Sequence, residues 1–234
     1  MSKVLVDDHD IEAIRFGRKI GVNGKEGTCY FSEEDNQVVK IYHMYLPNRK
    51  VYFENLNNNN VAFPNDILLD TNTGLIAGYT MNYLQGVKIM DGFSKELEIK
   101  LLKKAYIFLK EILKKYNDIC MEDLVLENIL FDYQKKVFNI IDTSRWYPCF
   151  DSFERNLQFV DGALSYALCN NHLGWLNKKN ITNKELLRIY EIYQNYNPTP
   201  FLELLELVEE EVKQKTGIRP EKIENLTLKI HKRV

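Results

Sequence analysis

Apolar residues over the first eighty positions recur in short, strand-like runs: Cys29-Tyr30-Phe31, Val38-Val39-Lys40-Ile41-Tyr42, Ile67-Leu68-Leu69 and Leu75 to Met81. Gly, Asn and Asp turn signals separate them, which predicts a small antiparallel sheet. One helix interrupts the runs. It opens near Pro47, a residue suited to a first helical turn, passes through Arg49 to Leu56, and stops at the asparagines 57–60.

After Gly86 the apolar period changes to steps of three and four. Leu97, Leu101, Leu102, Ala105, Phe108, Leu109, Ile112 and Leu113 share one face of a helix predicted from Lys95 to Tyr116, with Ser94 as its N-cap. Two short strands follow, Asn128 to Phe131 and Val137 to Ile141, joined by a turn over 132–136. Further helices are predicted at Phe153–Cys169, Asn183–Gln194 and Pro200–Lys215, the last capped by Thr199 and stopped by Gly217. The pattern is that of an α+β protein.

The 234 residues carry a formal charge of −2, which argues against nucleic acid or an anionic membrane as partner, since both select a strongly basic face. No apolar stretch approaches the length of a membrane span, and a cytoplasmic location is expected. Cys29, Cys120, Cys149 and Cys169 form no C-x-x-C pair, so they read as reduced thiols rather than zinc ligands or disulfides. The four histidines stand apart from one another, which leaves no Ser-His-Asp or metal-ligand spacing.

The chemistry concentrates in Met121-Glu122-Asp123-Leu124-Val125-Leu126-Glu127-Asn128, followed by Asp142 behind an apolar strand. An Asp, an Asn five residues later and a second Asp are what phosphoryl transfer uses to orient a hydroxyl and hold magnesium. Lys40 lies within a β-forming run and reads either as an outward-facing strand lysine or as a phosphate ligand. Glu54, on the helix that follows, is either a surface residue or the group that holds the Lys40 ammonium. Upstream, Gly21, Gly24 and Gly27 fit a hairpin turn, or a loop whose backbone N–H groups approach phosphate.

The order glycine loop, strand lysine, helix glutamate, Tyr79-Thr80-Met81-Asn82-Tyr83-Leu84 linker, D-x4-N loop and final Asp resembles the protein kinase-like superfamily over roughly residues 15 to 146. The resemblance implies a two-lobed kinase-like fold. Residues 1–82 would form a β-sheet N-lobe with one helix and residues 83–234 a mainly α-helical C-lobe, together one catalytic domain with ATP between the lobes. Gly24 and Gly27 match the second and third family glycines, and Gly21 is displaced by one position from the first. Adenine would meet the backbone at Asn82 and Leu84, with Met81 guarding the back of its pocket. Lys40 would contact the α and β phosphates, Glu54 would orient it, Asp123 would take the acceptor's proton, and Asn128 and Asp142 would ligate Mg²⁺. Asp161, on a later helix, reads either as an exposed helix residue or, by the resemblance, as the residue that would anchor the catalytic-loop backbone.

Several positions depart from the family pattern. His-Arg-Asp becomes Met121-Glu122-Asp123, the lysine usual two residues after the Asp is Val125, and Asp-Phe-Gly becomes Asp142-Thr143-Ser144. Only about ten residues separate Asp142 from the next predicted helix, and no Ala-Pro-Glu follows, so the peptide platform is shortened or absent. Arg145 and Trp146 read as packing residues without a catalytic role. The expected activity is ATP- and Mg²⁺-dependent transfer of the γ-phosphate to a hydroxyl acceptor, protein Ser/Thr or small molecule. The alternative is a pseudokinase that binds nucleotide or acts as a scaffold. Oligomeric state is not legible.

Overall fold

The computed structural model describes residues 2–21, 24–46, 56, 58–89, 99–177 and 201–206, without the side chains of 99–100 and 166–177. It is a mixed α+β structure in two units, Met1–Gly86 with Asn139–Tyr147 and Val87–Phe138 with Pro148–Val234.

The first unit is built on six strands: β1 (Ser2–Val6), β2 (Arg18–Ile20), β3 (Gly27–Ser32), β4 (Gln37–Leu46), β5 (Pro64–Asp70) and β6 (Ile76–Asn82). Their order is β1-β5-β6-β4-β3-β2. β1 runs parallel to β5, with Ser2 opposite Asp66, and the other pairs are antiparallel. Because successive side chains alternate between faces, β4 feeds two cores. Val38 and Tyr42 join Ala62, Ile67, Ile76, Tyr79 and Met81 in one, while Ile41 joins Val6, Ile11, Leu68 and Ala77 in the other.

The second core is capped by α1 (Asp8–Phe16), which buries Ile11 and packs Ile14 against it. Neither β1 nor α1 is among the predicted elements. β1 buries only its last residue, so its pattern lacks the alternation of a half-buried strand. α1 does carry a signal: the Asp7 carboxylate accepts from Asp10 N–H at 2.9 Å and the Asp10 carboxylate from Asp7 N–H at 3.1 Å, a capping box built from aspartates. The helix expected from Pro47 to Leu56 lies outside the described residues, apart from Leu56.

Residues 139–147 return to this unit from far along the chain. Ile140 N–H donates to Asn60 carbonyl at 2.7 Å, and Ala62 N–H donates to Ile140 carbonyl at 2.8 Å. Thr143 Oγ1 donates to the Ala62 carbonyl at 3.1 Å, and the buried Trp146 ring meets Phe63 edge-on at 5.8 Å. The returning segment is thereby fixed in position.

In the second unit, α2 (Ile99–Lys115) buries Leu101, Leu102, Ala105, Leu109, Ile112 and Leu113, the face its periodicity predicts, and packs against α3 (Phe153–Asn177). Its predicted beginning at Lys95 and its cap Ser94 lie outside the described residues, as does the helix at Asn183–Gln194. α3 continues past the predicted end at Cys169 to Asn177. Of the last predicted helix, 201–206 are described and are helical. The unit also holds β7 (Val87–Lys88), β8 (Ile119–Met121), β9 (Ile129–Asp132) and the start of β10 (Val137–Ile140), with β9 paired antiparallel to β7. Phe138 contacts Phe131 at 4.8 Å and stacks on Phe108 at 5.6 Å, which ties the β9–β10 hairpin to α2.

Candidate active site

In the first unit, Lys40 lies on β4 on the same side as Val38 and Tyr42, so alternation turns it inward. Its side chain is 5% exposed, and Nζ lies 6.0 Å from the centre of the Tyr42 ring and 5.9 Å from that of Tyr79. The outward-facing reading of Lys40 is set aside. A buried ammonium needs a counter-charge, and Asp142 supplies it: Nζ donates to Oδ1 at 2.6 Å across 102 positions of sequence. Ser144 Oγ stands 3.3 Å from the same Nζ and donates to Asp142 Oδ1 at 2.8 Å.

A further carboxylate enters from the glycine run. Glu26 precedes β3, and its carbonyl accepts from His43 N–H at 2.9 Å, extending the β3–β4 ladder by one bond. Its Oε2 lies 4.0 Å from Lys40 Nζ and 3.1 Å from Ser144 Oγ, whose one proton it shares with Asp142, while Oε1 accepts from Arg145 Nε at 2.9 Å. Asp142, Lys40, Glu26 and Arg145 thus form one chain of alternating charge, with the neutral Ser144 hydroxyl between the two carboxylates. Sequence reasoning missed Glu26 because one acidic residue in a glycine-rich turn has no pattern. It also assigned Arg145 to packing, whereas of the pair only Trp146 is buried in a core.

These charges set the titration of their neighbours. Burial pushes the Asp142 carboxyl up, but the charge and hydrogen bond of Lys40, with Ser144, outweigh it and hold the group below the usual range. Glu26 is pushed up by burial and pulled further down by Arg145, Lys40 and Ser144. Cys29, opposite Lys40 in the ladder, is pushed up to about 11, mainly by burial. Among the described residues the buried Tyr79 hydroxyl has no hydrogen-bond partner, and it is raised well above its ordinary value, by burial first and the Asp142 charge second.

Gly21 has a φ of 69°, a conformation glycine adopts without strain, and a Cβ at Gly27 would lie 2.4 Å from the Ile41 carbonyl oxygen. Close strand packing therefore requires glycine at 27 whatever the loop binds. Gly24 stands exposed just before Lys25 and Glu26. Along the linker, Met81 is buried in the Lys40-side core and Leu84 packs against it. The exposed Asn82 ends β6 opposite Gln37, and its Oδ1 accepts from Asn65 Nδ2 at 2.9 Å. Glu54 lies outside the described residues.

The second unit holds the D-x4-N loop. Asp123 is exposed and has φ of 65°, and Asp142 in the first unit has φ of 58°. Left-handed backbone at a non-glycine residue carries strain and concentrates at functional positions. Asn128 Nδ2 donates to the Asp123 carbonyl at 2.9 Å, Val125 N–H donates to that same oxygen at 2.8 Å, and Asn128 N–H donates to the Val125 carbonyl at 2.9 Å. Glu122 pairs with Arg155 at 3.6 Å.

The residue that anchors this loop is Asn156 and not Asp161. Asn156 Oδ1 accepts from Met121 N–H at 2.9 Å and its Nδ2 donates to the Ile119 carbonyl at 2.7 Å. Ser152 Oγ bonds the carbonyls of Ile119 at 2.6 Å and Asn117 at 2.9 Å. Asp161 instead accepts from Phe201 N–H at 3.0 Å, capping the helical residues 201–206, and its carboxyl is raised, mainly by burial.

No protein-family model and no curated protein matches the chain. Among solved structures it is similar to the kinase PK-1 of the Cydia pomonella granulovirus, at 21% identity and a TM-score of 0.44. The match covers 56% of this chain and 53% of that one, so the chain spans about half the length of that viral kinase. Among the described residues no helix is long and apolar enough to cross a membrane.

Proposed function

We propose that this chain is an ATP- and Mg²⁺-dependent phosphotransferase of protein kinase-like fold, acting on a hydroxyl acceptor. The observation that carries the reading is the 2.6 Å pair between buried Lys40 and left-handed Asp142. A cation and a metal-binding carboxylate held together, with a hydroxyl between them and the glycine run, are suited to take up a phosphate chain and its metal. Asp142 and Asn128 offer hard oxygen donors of the kind Mg²⁺ takes, and with the Asn128 amide nitrogen engaged on the Asp123 carbonyl, its Oδ1 would be the atom left to hold the ion.

Mg²⁺ would offset the charge that builds on the transferred phosphoryl group. Lys40 would hold the α and β phosphates. Asp123 would accept the hydroxyl proton as the acceptor oxygen bonds to the γ-phosphorus and the bond from that phosphorus to the β–γ bridging oxygen breaks, releasing ADP. With Val125 at the position of the usual lysine, the acceptor end of the site lacks one positive group, and the short stretch from Asp142 to α3 favours a small hydroxylated acceptor or a protein docked elsewhere.

The test is label transfer from γ-labelled ATP, alongside thermal stabilisation of the chain by ATP with Mg²⁺. Asp142→Ala should lose the Mg²⁺-dependent stabilisation, whereas Asp123→Ala should keep it and lose transfer by orders of magnitude. Absence of any Mg²⁺-dependent effect of ATP on the unmutated chain would overturn the reading. Stabilisation without turnover would support the pseudokinase instead.

A further inference from the structure

The Glu26 carboxylate stands on the cations that a nucleotide would need. It accepts from Arg145 Nε at 2.9 Å, lies 4.0 Å from Lys40 Nζ and takes the Ser144 hydroxyl at 3.1 Å. Two cations, one hydroxyl and one carboxylate make the pattern of contacts that a phosphate oxygen makes with Arg, Lys and Ser. Its position is not accidental. The backbone of Glu26 is tied to β4 through His43, and residue 27 next to it has no room for a side chain, so the carboxylate is delivered to this spot by the sheet itself.

We propose that Glu26 is a resident stand-in for nucleotide phosphate, and that a polyphosphate displaces it and takes its place on Lys40 and Arg145. This rests on the phosphotransferase reading and deepens it by giving Arg145 a role as a phosphate-binding residue. Glu26 is 24% exposed on its side chain and Arg145 45%, so both can swing into water, whereas Lys40, 5% exposed, stays. Before exchange, Glu26 and Asp142 stand against Lys40 and Arg145 among the described residues. After exchange, Mg²⁺ would draw Asp142, and the two cations would face the phosphates. Arg145 then provides positive charge that Val125 and Glu122 do not.

Binding of ATP and of inorganic tripolyphosphate to the full chain, each with and without Mg²⁺, tests this by calorimetry on the unmutated protein, Glu26→Gln and Arg145→Met. Circular dichroism and thermal unfolding check that each variant is folded. Glu26→Gln keeps the shape and removes the competing charge, so it should bind both anions about tenfold tighter, and Arg145→Met should bind them about tenfold more weakly. The double variant should lose the gain from Glu26→Gln.

Unchanged or weaker binding in Glu26→Gln, or unchanged binding in Arg145→Met, would overturn the stand-in while leaving the phosphotransferase reading in place. No binding by any of the three folded proteins would overturn both.

Discussion

A single inward turn of β4 explains most of the chemistry in the first unit. Lys40 is buried with Val38 and Tyr42, and a buried ammonium obliges the fold to bring Asp142 and Glu26 to it. Both carboxyls titrate below their ordinary values, so the stability they contribute is complete above the unfolded values and is lost as pH falls through the folded ones. Between about pH 6 and about pH 3, urea midpoints of the unmutated chain should therefore fall more than those of Glu26→Gln. Asp142 is 38% exposed, so Lys40→Met should cost only about 1–2 kcal/mol, measured by urea unfolding at neutral pH. Cys29 changes in the opposite sense. With its thiol pushed up to about 11, it is almost wholly protonated near neutrality and should resist iodoacetamide until the pH becomes strongly alkaline, followed by mass spectrometry of the Cys29 peptide.

The elements were legible where one face is buried and obscure where it is not. β3, β4, β6 and α2 stand out because they carry the buried apolar residues, β4 and β6 on both faces of the sheet and α2 on one side, and the pattern places them within a few residues. β1 is legible only through its pairing with β5, since four of its five residues are exposed. The candidate site followed the same division. Lys40, Asp123, Asn128 and Asp142 could be read from spacing, but Glu26, Arg145 and Asn156 act through contacts that join distant segments, which no local pattern encodes. Asn156 sits on the first turn of α3 and bonds the backbone of β8 at Met121 and Ile119. Asn156→Ala takes the side-chain acceptor from the Met121 N–H and one of two donors from the Ile119 carbonyl, which keeps Ser152, and should cost about 1–3 kcal/mol in chemical unfolding. Asp161→Ala, which removes one partly buried cap, should cost about 1 kcal/mol.

At the scale of the molecule, the first unit is discontinuous in sequence: residues 1–86 are completed by 139–147. Trp146 is 3% exposed against Phe63, so Trp146→Ala opens a cavity in that unit and should cost about 3 kcal/mol. Hydrogen exchange would then show protection falling in β4–β6 and holding in α2, and an equal loss in both would mean that the two units unfold as one. The discontinuity also orders events during synthesis. While the chain emerges from the ribosome, the strands up to β6 are available early, but Lys40 must wait for about a hundred further residues before Asp142 arrives to neutralise it. Until then Glu26, made before Lys40 and 4.0 Å from its ammonium in the folded sheet, is the nearby carboxylate already in hand.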